Sequence, residues 1–278
     1  MSHKDQYAVF GSPIKHSKSP RIHQFFAEQT QQDLEYRAVL VPAEQFEQAV
    51  NDFFFQEGGR GINCTVPLKE LAWAYADKKT ARAELSKAVN TLALQEDGSI
   101  LGDNTDGIGL VTDLQKNNAI LLTGKKILIL GAGGASRGII GPIQDELPET
   151  ITIANRTVEK AQNLTTEFAH KGAINACRYA DLAGLSFDLI INATSASLSN
   201  DLPPLVDGLL KEQACCYDLA YANEATAFVR WAREQGALKS LDGLGMLIEQ
   251  AAEAFYLWRG VRPMSEELIR LLDLERGN

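Results

Sequence analysis

The residues Ile127-Leu-Ile-Leu-Gly131-Ala132-Gly133-Gly134-Ala135-Ser136-Arg137 carry the strongest chemical signal in the chain. An apolar run reads as a buried strand, and a glycine-rich turn follows it and opens a helix. Gly131 permits the tight turn, and Gly133 lets the backbone approach a diphosphate. The helix N-terminus offers free N–H groups and a positive dipole end to the anion. Ser136 stands where the third glycine of a G-x-G-x-x-G pattern would be. That weakens the match, and the strand–loop–helix order strengthens it again. A purely structural turn is the competing reading. The next predicted strand ends in Asn155-Arg156-Thr157-Val158-Glu159-Lys160, with no acid at Asn155 to hold a ribose 2′-hydroxyl. Arg156 can instead grip a 2′-phosphate bidentately and stack on adenine, with Lys160 one helical turn on. The spacing predicts NADP(H) over NAD; the alternative is that both cations are ordinary solvated charges.

A second place where chemistry is possible lies near the N-terminus. Ser17 and Ser19 precede Pro20 at a strand-to-helix connection, where hydroxyls and a helix N-terminus can bind a carboxylate. Ser19 also fits as an N-cap ahead of Pro20, and the two roles are compatible. Lys69 follows the segment Asn63-Cys-Thr65-Val-Pro67, and Asp106 starts a helix. By residue type alone, Lys69 is as readily a surface charge and Asp106 a first-turn acid. The four histidines lack H-x-x-x-H spacing and the four cysteines form no C-x-x-C pair. No metal site and no disulfide are therefore expected.

Elements of an α/β protein must position these residues. The chain has 278 residues, which suggests two domains. Strands are predicted at Tyr7–Phe10, Tyr36–Val41, Gly61–Thr65, Val89–Gln95 and Ser99–Leu101. A second series follows at Ile127–Leu130, Ile151–Ala154, Leu189–Asn192, Cys215–Leu219 and Leu238–Leu241. Phe46, Ala49, Val50, Phe53 and Phe54 share one helical face, predicting a helix over Ala43–Glu57 that Gly58-Gly59 stops. Two helices, about Leu244–Arg259 and Ser265–Leu274, come after the last strand and are expected to fold back on the first domain. The expected division is 1–105 with 242–278, and 106–241. With 27 basic against 36 acidic residues the net charge is −9, which disfavours nucleic acid and polybasic membrane binding. No window is apolar enough to span a membrane, and no signal peptide is recognisable, so a cytoplasmic protein is expected.

Taken together, the motifs resemble the shikimate dehydrogenase family over almost the whole chain. In order they are Gly11-Ser-Pro-Ile-Lys-His16-Ser17-Lys18-Ser19-Pro20, Asn63-Cys-Thr65-Val-Pro67-Leu-Lys69, Ala88-Val-Asn90-Thr91, Gly102-Asp-Asn-Thr-Asp106-Gly107, the glycine loop, Asn155-Arg-Thr157, Asn192-Ala-Thr-Ser195, Tyr217-Asp-Leu-Ala-Tyr221 and Asp242-Gly-Leu-Gly-Met246. The resemblance implies an N-terminal α/β substrate domain completed by C-terminal helices, plus a Rossmann-type NADP-binding domain. It implies NADPH-dependent reduction of 3-dehydroshikimate to shikimate in aromatic amino-acid biosynthesis, by a monomer or homodimer with no nucleic-acid or membrane partner.

The resemblance also makes Lys69 and Asp106 the catalytic pair. It assigns Ser17, Ser19, Thr65, Asn90, Tyr221 and Gln250, together with that pair, to the substrate. Gly131, Ala132, Gly133, Gly134, Ala135, Asn155, Arg156, Thr157, Lys160, Thr194, Leu219 and Gly243 would hold the cofactor. Asn63 is expected either to orient Lys69 or to be structural. The chain departs from the family pattern at Ala196-Ser197, where x-Gly is common, and at Lys160, where a second arginine is common. Two alternatives accompany this reading: a quinate/shikimate dehydrogenase with dual cofactor use, and a non-catalytic shikimate-sensing protein.

Overall fold

The computed structural model describes residues 4–277. The chain forms two compact units, Met1–Gly109 with Ile248–Leu272, and Leu110–Leu247 with Asp273–Asn278.

In the first unit a six-stranded sheet has the order β2-β1-β3-β5-β6-β4. Its strands are β1 (Asp5–Gly11), β2 (Leu34–Leu40), β3 (Gly59–Cys64), β4 (Lys78–Lys79), β5 (Thr91–Leu94) and β6 (Ile100–Asp103). β1 runs parallel to β2 and β3, while β5 is antiparallel to both β3 and β6. Helices α1 (Ser19–Gln29), α2 (Phe46–Asn51), α3 (Lys69–Tyr75) and α4 (Ala81–Ser86) connect them, and α5 (Asp106–Thr112) follows β6.

Strand alternation sorts the core into two layers. Ala8, Phe10 and Ile62 pack with Phe46, Val50 and Phe53. On the other face, Tyr7 and Tyr36 meet the ring of Trp258, with centroids 4.9 and 6.3 Å away. Gly61 belongs to this layer, since a Cβ there would run into the Trp258 ring.

The second unit holds six parallel strands in the order β12-β11-β10-β7-β8-β9. They are β7 (Lys126–Leu130), β8 (Thr150–Ala154), β9 (Ile174–Cys177), β10 (Phe187–Asn192), β11 (Leu210–Asp218) and β12 (Lys239–Leu241). Read from β7 outward, this is the doubly wound 3-2-1-4-5-6 order, whose switch point falls between β7 and β10. The remaining helices are α6 (Gly134–Asp145), α7 (Val158–Phe168), α8 (Ala227–Glu234), α9 (Leu244–Arg259) and α10 (Glu266–Arg276). Among the described residues no helix is long and apolar enough to cross a membrane.

The two compact units part at 109/110 and 247/248, inside α5 and α9, within a few residues of the expected 105/106 and 241/242. The tail from Asp273 groups with the second unit, because Arg276 pairs with Asp242 at 2.5 Å and donates to the Ala222 carbonyl. The predicted Ala43–Glu57 helix is three pieces: a 3-10 turn over Ala43–Gln45, α2, and a π-type turn over Asp52–Gln56. The widened turn seats Phe53 directly against Gly59, where a Cβ would collide with the Phe53 ring. Strands β4 and β9 had no counterpart in the sequence reading.

Candidate active site

Strand direction explains why distant residues meet in the first unit. β1 and β3 are parallel neighbours, with Phe10 opposite Cys64, so the segments after them lie side by side. β5 runs the other way, so its start at Thr91 lies opposite Asn63, and the end of β6 at Asp103 lies opposite Thr91. Four chain segments therefore share one end of the sheet: Ser12–Ser19, Thr65–Lys69, Asn90 and Asn104–Asp106. Gly11 allows the closest of these approaches, since a Cβ there would collide with the Thr65 methyl.

At this end Lys69, the first residue of α3, places its Nζ 2.5 Å from Asp106 Oδ2. The Lys69 side chain is 30% and the Asp106 side chain 13% exposed, so the pair is shielded yet reachable. Asp106 begins α5, and its N–H donates to Asn104 Oδ1 (3.1 Å). Asn90 Nδ2 donates to Asp106 Oδ1 (2.8 Å) and lies within reach of Thr105 Oγ1 (2.9 Å) and Gln250 Oε1 (3.2 Å). Gln250 arrives on α9, which packs backbone to side chain against α5 at Gly109. The predicted Lys69, Asp106, Asn90 and Gln250 are thus one connected group.

Thr65 and the two serines border it. Thr65 is half-buried; its N–H donates to the Phe10 carbonyl, and its carbonyl accepts from Leu68. Ser19 is not the N-cap expected of it: Lys18 occupies that place, and Ser19 is the first residue of α1. The Ser17 hydroxyl accepts from the Ser19 N–H (3.3 Å) across the turn that leads into α1. Nor does Asn63 reach Lys69. Its amide donates to Asn90 O (3.2 Å) and Thr91 Oγ1 (3.0 Å) and accepts from the Tyr36 hydroxyl (2.7 Å). Thr91, Asn104 and Thr105, which sequence reasoning did not single out, hold this group in place. They stood inside the quoted motifs, but their partners lie too far along the chain for spacing to reveal.

In the second unit the glycine loop lies between β7 and α6. Gly131 has φ +100°, a left-handed conformation that a side chain would strain. A Cβ at Gly133 or Gly134 would meet nothing within 4 Å, and Gly133, Gly134 and Ala135 are exposed, with Ala132 half-buried. The backbone there is open to an anion, and α6 starts at Gly134 with its N–H groups facing out of the turn. Ser136 is fully buried and donates its hydroxyl to the Gly131 carbonyl (2.8 Å). The residue replacing the third glycine therefore closes the turn instead of loosening it.

At the end of β8, Asn155 donates to the Thr157 carbonyl (2.7 Å), and Thr157 is the N-cap of α7. Arg156 and Lys160 are both exposed. Among the described residues neither side chain has a hydrogen-bond or ion-pair partner.

Thr194, Leu219 and Gly243 are joined through two buried side chains beside the switch point. Asn192 Oδ1 accepts from Thr194 Oγ1 (2.7 Å), and the Leu219 N–H donates to the Asn192 carbonyl. Asp218 accepts from Asn192 (3.1 Å), Ser197 (2.6 Å) and Thr226 (2.6 Å). Burial raises the Asp218 pKa, and these hydroxyls and amides oppose the rise. Ser197, in the loop where the chain was expected to depart from the family pattern, is thus anchored to Asp218. A Cβ at Gly243 would strike the Leu219 carbonyl. Tyr221 also belongs to this unit; burial, then Asp242, raises its pKa.

The strand order and glycine loop of the second unit are those of the dinucleotide-binding α/β proteins. The chain belongs to the shikimate dehydrogenase family. Residues 9–92 match the shikimate dehydrogenase substrate binding domain, 113–213 the shikimate / quinate 5-dehydrogenase family, and 243–270 the shikimate 5′-dehydrogenase C-terminal domain. The chain is 59% identical over 276 residues to the shikimate dehydrogenase (NADP(+)) of Methylococcus capsulatus, covering 99% of each. Among solved structures, an Ael1 enzyme from Pseudomonas putida aligns with TM-score 0.90 at 46% identity, over 97% of this chain and 98% of that one. The shikimate 5-dehydrogenase of Thermus thermophilus, solved with NADP(H) and shikimate, aligns with TM-score 0.84 at 33% identity, over 96% and 99%.

Proposed function

We propose that this chain catalyses the reversible, NADPH-dependent reduction of 3-dehydroshikimate to shikimate, a step of aromatic amino-acid biosynthesis. The observation that carries the reading is the shielded 2.5 Å contact of Lys69 with Asp106, with Asn90 and Gln250 beside it, in a chain of this family. The first unit is the substrate domain, completed by residues from the C-terminal helices. The second is the cofactor domain. The protein works as a cytoplasmic monomer or homodimer without a nucleic-acid partner.

The residues present fit NADP(H). The open backbone at Gly133 and Gly134 suits a diphosphate, with Gly131, Ala132 and Ala135 shaping the turn. Arg156 and Lys160 suit the 2′-phosphate, with Asn155 and Thr157 fixing the turn that presents them. Thr194, Leu219 and Gly243 would line the nicotinamide end. The bound cofactor supplies or accepts the hydride.

The chain's own residues then handle the charge. Reduction of the ketone develops negative charge on its oxygen, which the Lys69 ammonium stabilises as a proton is delivered. Asp106 holds the ammonium through one carboxylate oxygen and accepts a substrate hydroxyl. Asn90 keeps the other oxygen in place. Ser17 and Ser19 bind the substrate carboxylate without a buried arginine, and Thr65, Gln250 and Tyr221 complete the substrate contacts.

Replacing Lys69 by Ala tests this. The expected result is a fall in kcat of about 10²-fold or more with a much smaller change in KM. A near-normal kcat with a raised KM would reassign Lys69 to binding. Following oxidation of shikimate and of quinate, each with NADP and with NAD, separates this reading from a dual-cofactor quinate enzyme and from a non-catalytic sensor.

A further inference from the structure

Beneath the Lys69–Asp106 pair runs a chain of buried hydrogen bonds in which each donor sets the orientation of the next group. It starts at Tyr36 on β2. The Tyr36 hydroxyl donates to Asn63 Oδ1 (2.7 Å). The amide must then present its NH₂ to Thr91 Oγ1 (3.0 Å) and Asn90 O (3.2 Å). Thr91 Oγ1, having accepted, donates its own proton to Asn90 Oδ1 (2.9 Å). Asn90 Oδ1 also takes the Thr105 N–H (2.9 Å), so the Asn90 NH₂ is turned towards Asp106 Oδ1 (2.8 Å). That leaves Asp106 Oδ2 for the Lys69 ammonium (2.5 Å).

An amide can be turned end for end at little cost in shape, so something must decide which end faces the carboxylate. If Asn90 were reversed, its carbonyl oxygen would face Asp106 and repel it. Two backbone groups bias the choice: the Thr105 N–H at Asn90 Oδ1, and the Asn90 carbonyl at the Asn63 NH₂. Tyr36 adds a donor at the far end of the chain, where it satisfies the Asn63 oxygen. It is buried, and burial, with Cys64 next, holds its pKa well above the ordinary value against the opposing Ser19 hydroxyl. It therefore keeps its proton at any working pH. Its ring has one place to lie, stacked on His23 at 4.1 Å and 7° and flanked by Trp258.

We propose that Tyr36 is a positioning residue for the Lys69–Asp106 pair, acting through the ordered sequence Asn63, Thr91 and Asn90. The proposal rests on the reading of that pair as catalytic. Tyr36 does not touch the pair; its one neighbour among the proposed substrate groups is the Ser19 hydroxyl, assigned to the carboxylate and not to the reacting ketone. Its effect is to reinforce, together with the Thr105 N–H and the Asn90 carbonyl, the direction in which the amides and hydroxyl between Tyr36 and the pair point.

The test is a double-mutant cycle in shikimate oxidation. Tyr36→Phe removes the first donor and Thr91→Val removes a middle link, each with little change in shape. Each is expected to lower kcat about tenfold, the worth of one buried hydrogen bond, with KM for shikimate within about twofold. Because both break the same sequence, the double variant is expected to be no slower than about the worse single variant. Thr91→Ser keeps the hydroxyl and is expected to retain nearly wild-type kcat, even if a larger change at Tyr36 disturbs folding. Unchanged kcat in Tyr36→Phe, losses confined to KM, losses that multiply to about a hundredfold, or a Thr91→Ser as slow as Thr91→Val would each overturn the proposal. If the wild type itself fails to oxidise shikimate, or Lys69→Ala keeps its kcat, the catalytic reading of the pair fails first.

Discussion

His23 makes the first unit sensitive to acid in a way that can be measured. It lies on the buried face of α1, 1% exposed, and neither ring nitrogen reaches a hydrogen-bond partner. Its ring stacks on Tyr36 and is surrounded by Phe26, Phe255 and Trp258. Burial lowers its pKa from 6.5 to about 3, outweighing the opposing Asn63 side chain. In the unfolded chain the same imidazole titrates near its ordinary value. Above pH 6.5 it is neutral in both states and contributes no pH dependence. Between pH 6.5 and about 3 only the unfolded chain takes up the proton, so stability falls as the pH falls. The full penalty, present below the folded value, is about 5 kcal/mol from a shift of that size. At pH 5 about 2 kcal/mol of it has been lost.

His23→Phe removes the titrating group and leaves an aromatic ring for Tyr36. Urea unfolding of both proteins from pH 7.5 to 5 isolates the effect, because every other titrating group is common to the two. With an m-value of about 2 kcal/mol per molar urea, the wild-type midpoint should fall by about 1 M more than that of His23→Phe over this range. A single buried histidine produces a difference that is flat above pH 6.5 and grows by about 1.4 kcal/mol per pH unit below about pH 6. Parallel midpoints from pH 7.5 to 5 would refute the argument. They would mean that the imidazole is protonated in the folded protein, or that water reaches it.

Two further outcomes follow from the geometry. Arg156→Asp combined with Lys160→Ala should raise KM for NADP by about tenfold or more, since a charge-assisted hydrogen bond is worth about 1.5–3 kcal/mol, while KM for NAD changes little; an unchanged preference for NADP would show that neither cation holds the 2′-phosphate. Gly109→Ala places a Cβ 2.7 Å from the backbone nitrogen of Gln250. It should cost about 1–3 kcal/mol in thermal unfolding and raise KM for shikimate, and a variant with unaltered melting and kinetics would show that α5 and α9 can part without consequence.

The parts of the fold that the sequence made legible are those where one local signal suffices. Ile127–Leu130 is a short apolar run between lysines and glycines, and it is β7. β4 escaped because Lys78-Lys79 has no apolar residue and owes its place to pairing with β6. β9 is a four-residue edge strand with an exposed Asn175 in its middle. The helical period through Phe46–Phe54 was legible, yet the π-type turn was not, because it answers to a glycine five residues beyond Phe54. Ser19-Pro20 pointed to Ser19 as the cap, whereas α1 begins at Ser19 itself with Lys18 before it. Least legible were the connections of the site. Asn90 meets Gln250 across 160 residues and Asn63 across 27, and no periodicity spans such distances.

The net charge of −9 raises a question that the placement of the cations answers. Both proposed ligands are anions, so the mean field of the protein opposes their approach. Most arginines and lysines are committed to the fold. Arg82 holds Asp103 and Glu253, Arg137 holds Glu167 at 2.5 and 2.9 Å, Arg259 holds Asp5, and Arg276 holds Asp242. Among the described residues, Lys15 and Lys18 flank Ser17 with no side-chain partner, and so do Arg156 and Lys160 at the end of β8. Arg270 on α10 aside, the cations left uncommitted among the described residues are thus concentrated where a carboxylate and a phosphate are expected. An ion-paired arginine would have to give up its carboxylate before it could take a ligand, losing much of the gain. An exposed, unpaired one gives up only water. Local positive potential at these two places can therefore outweigh a distant negative one, because in physiological salt charges beyond about 8 Å are largely screened.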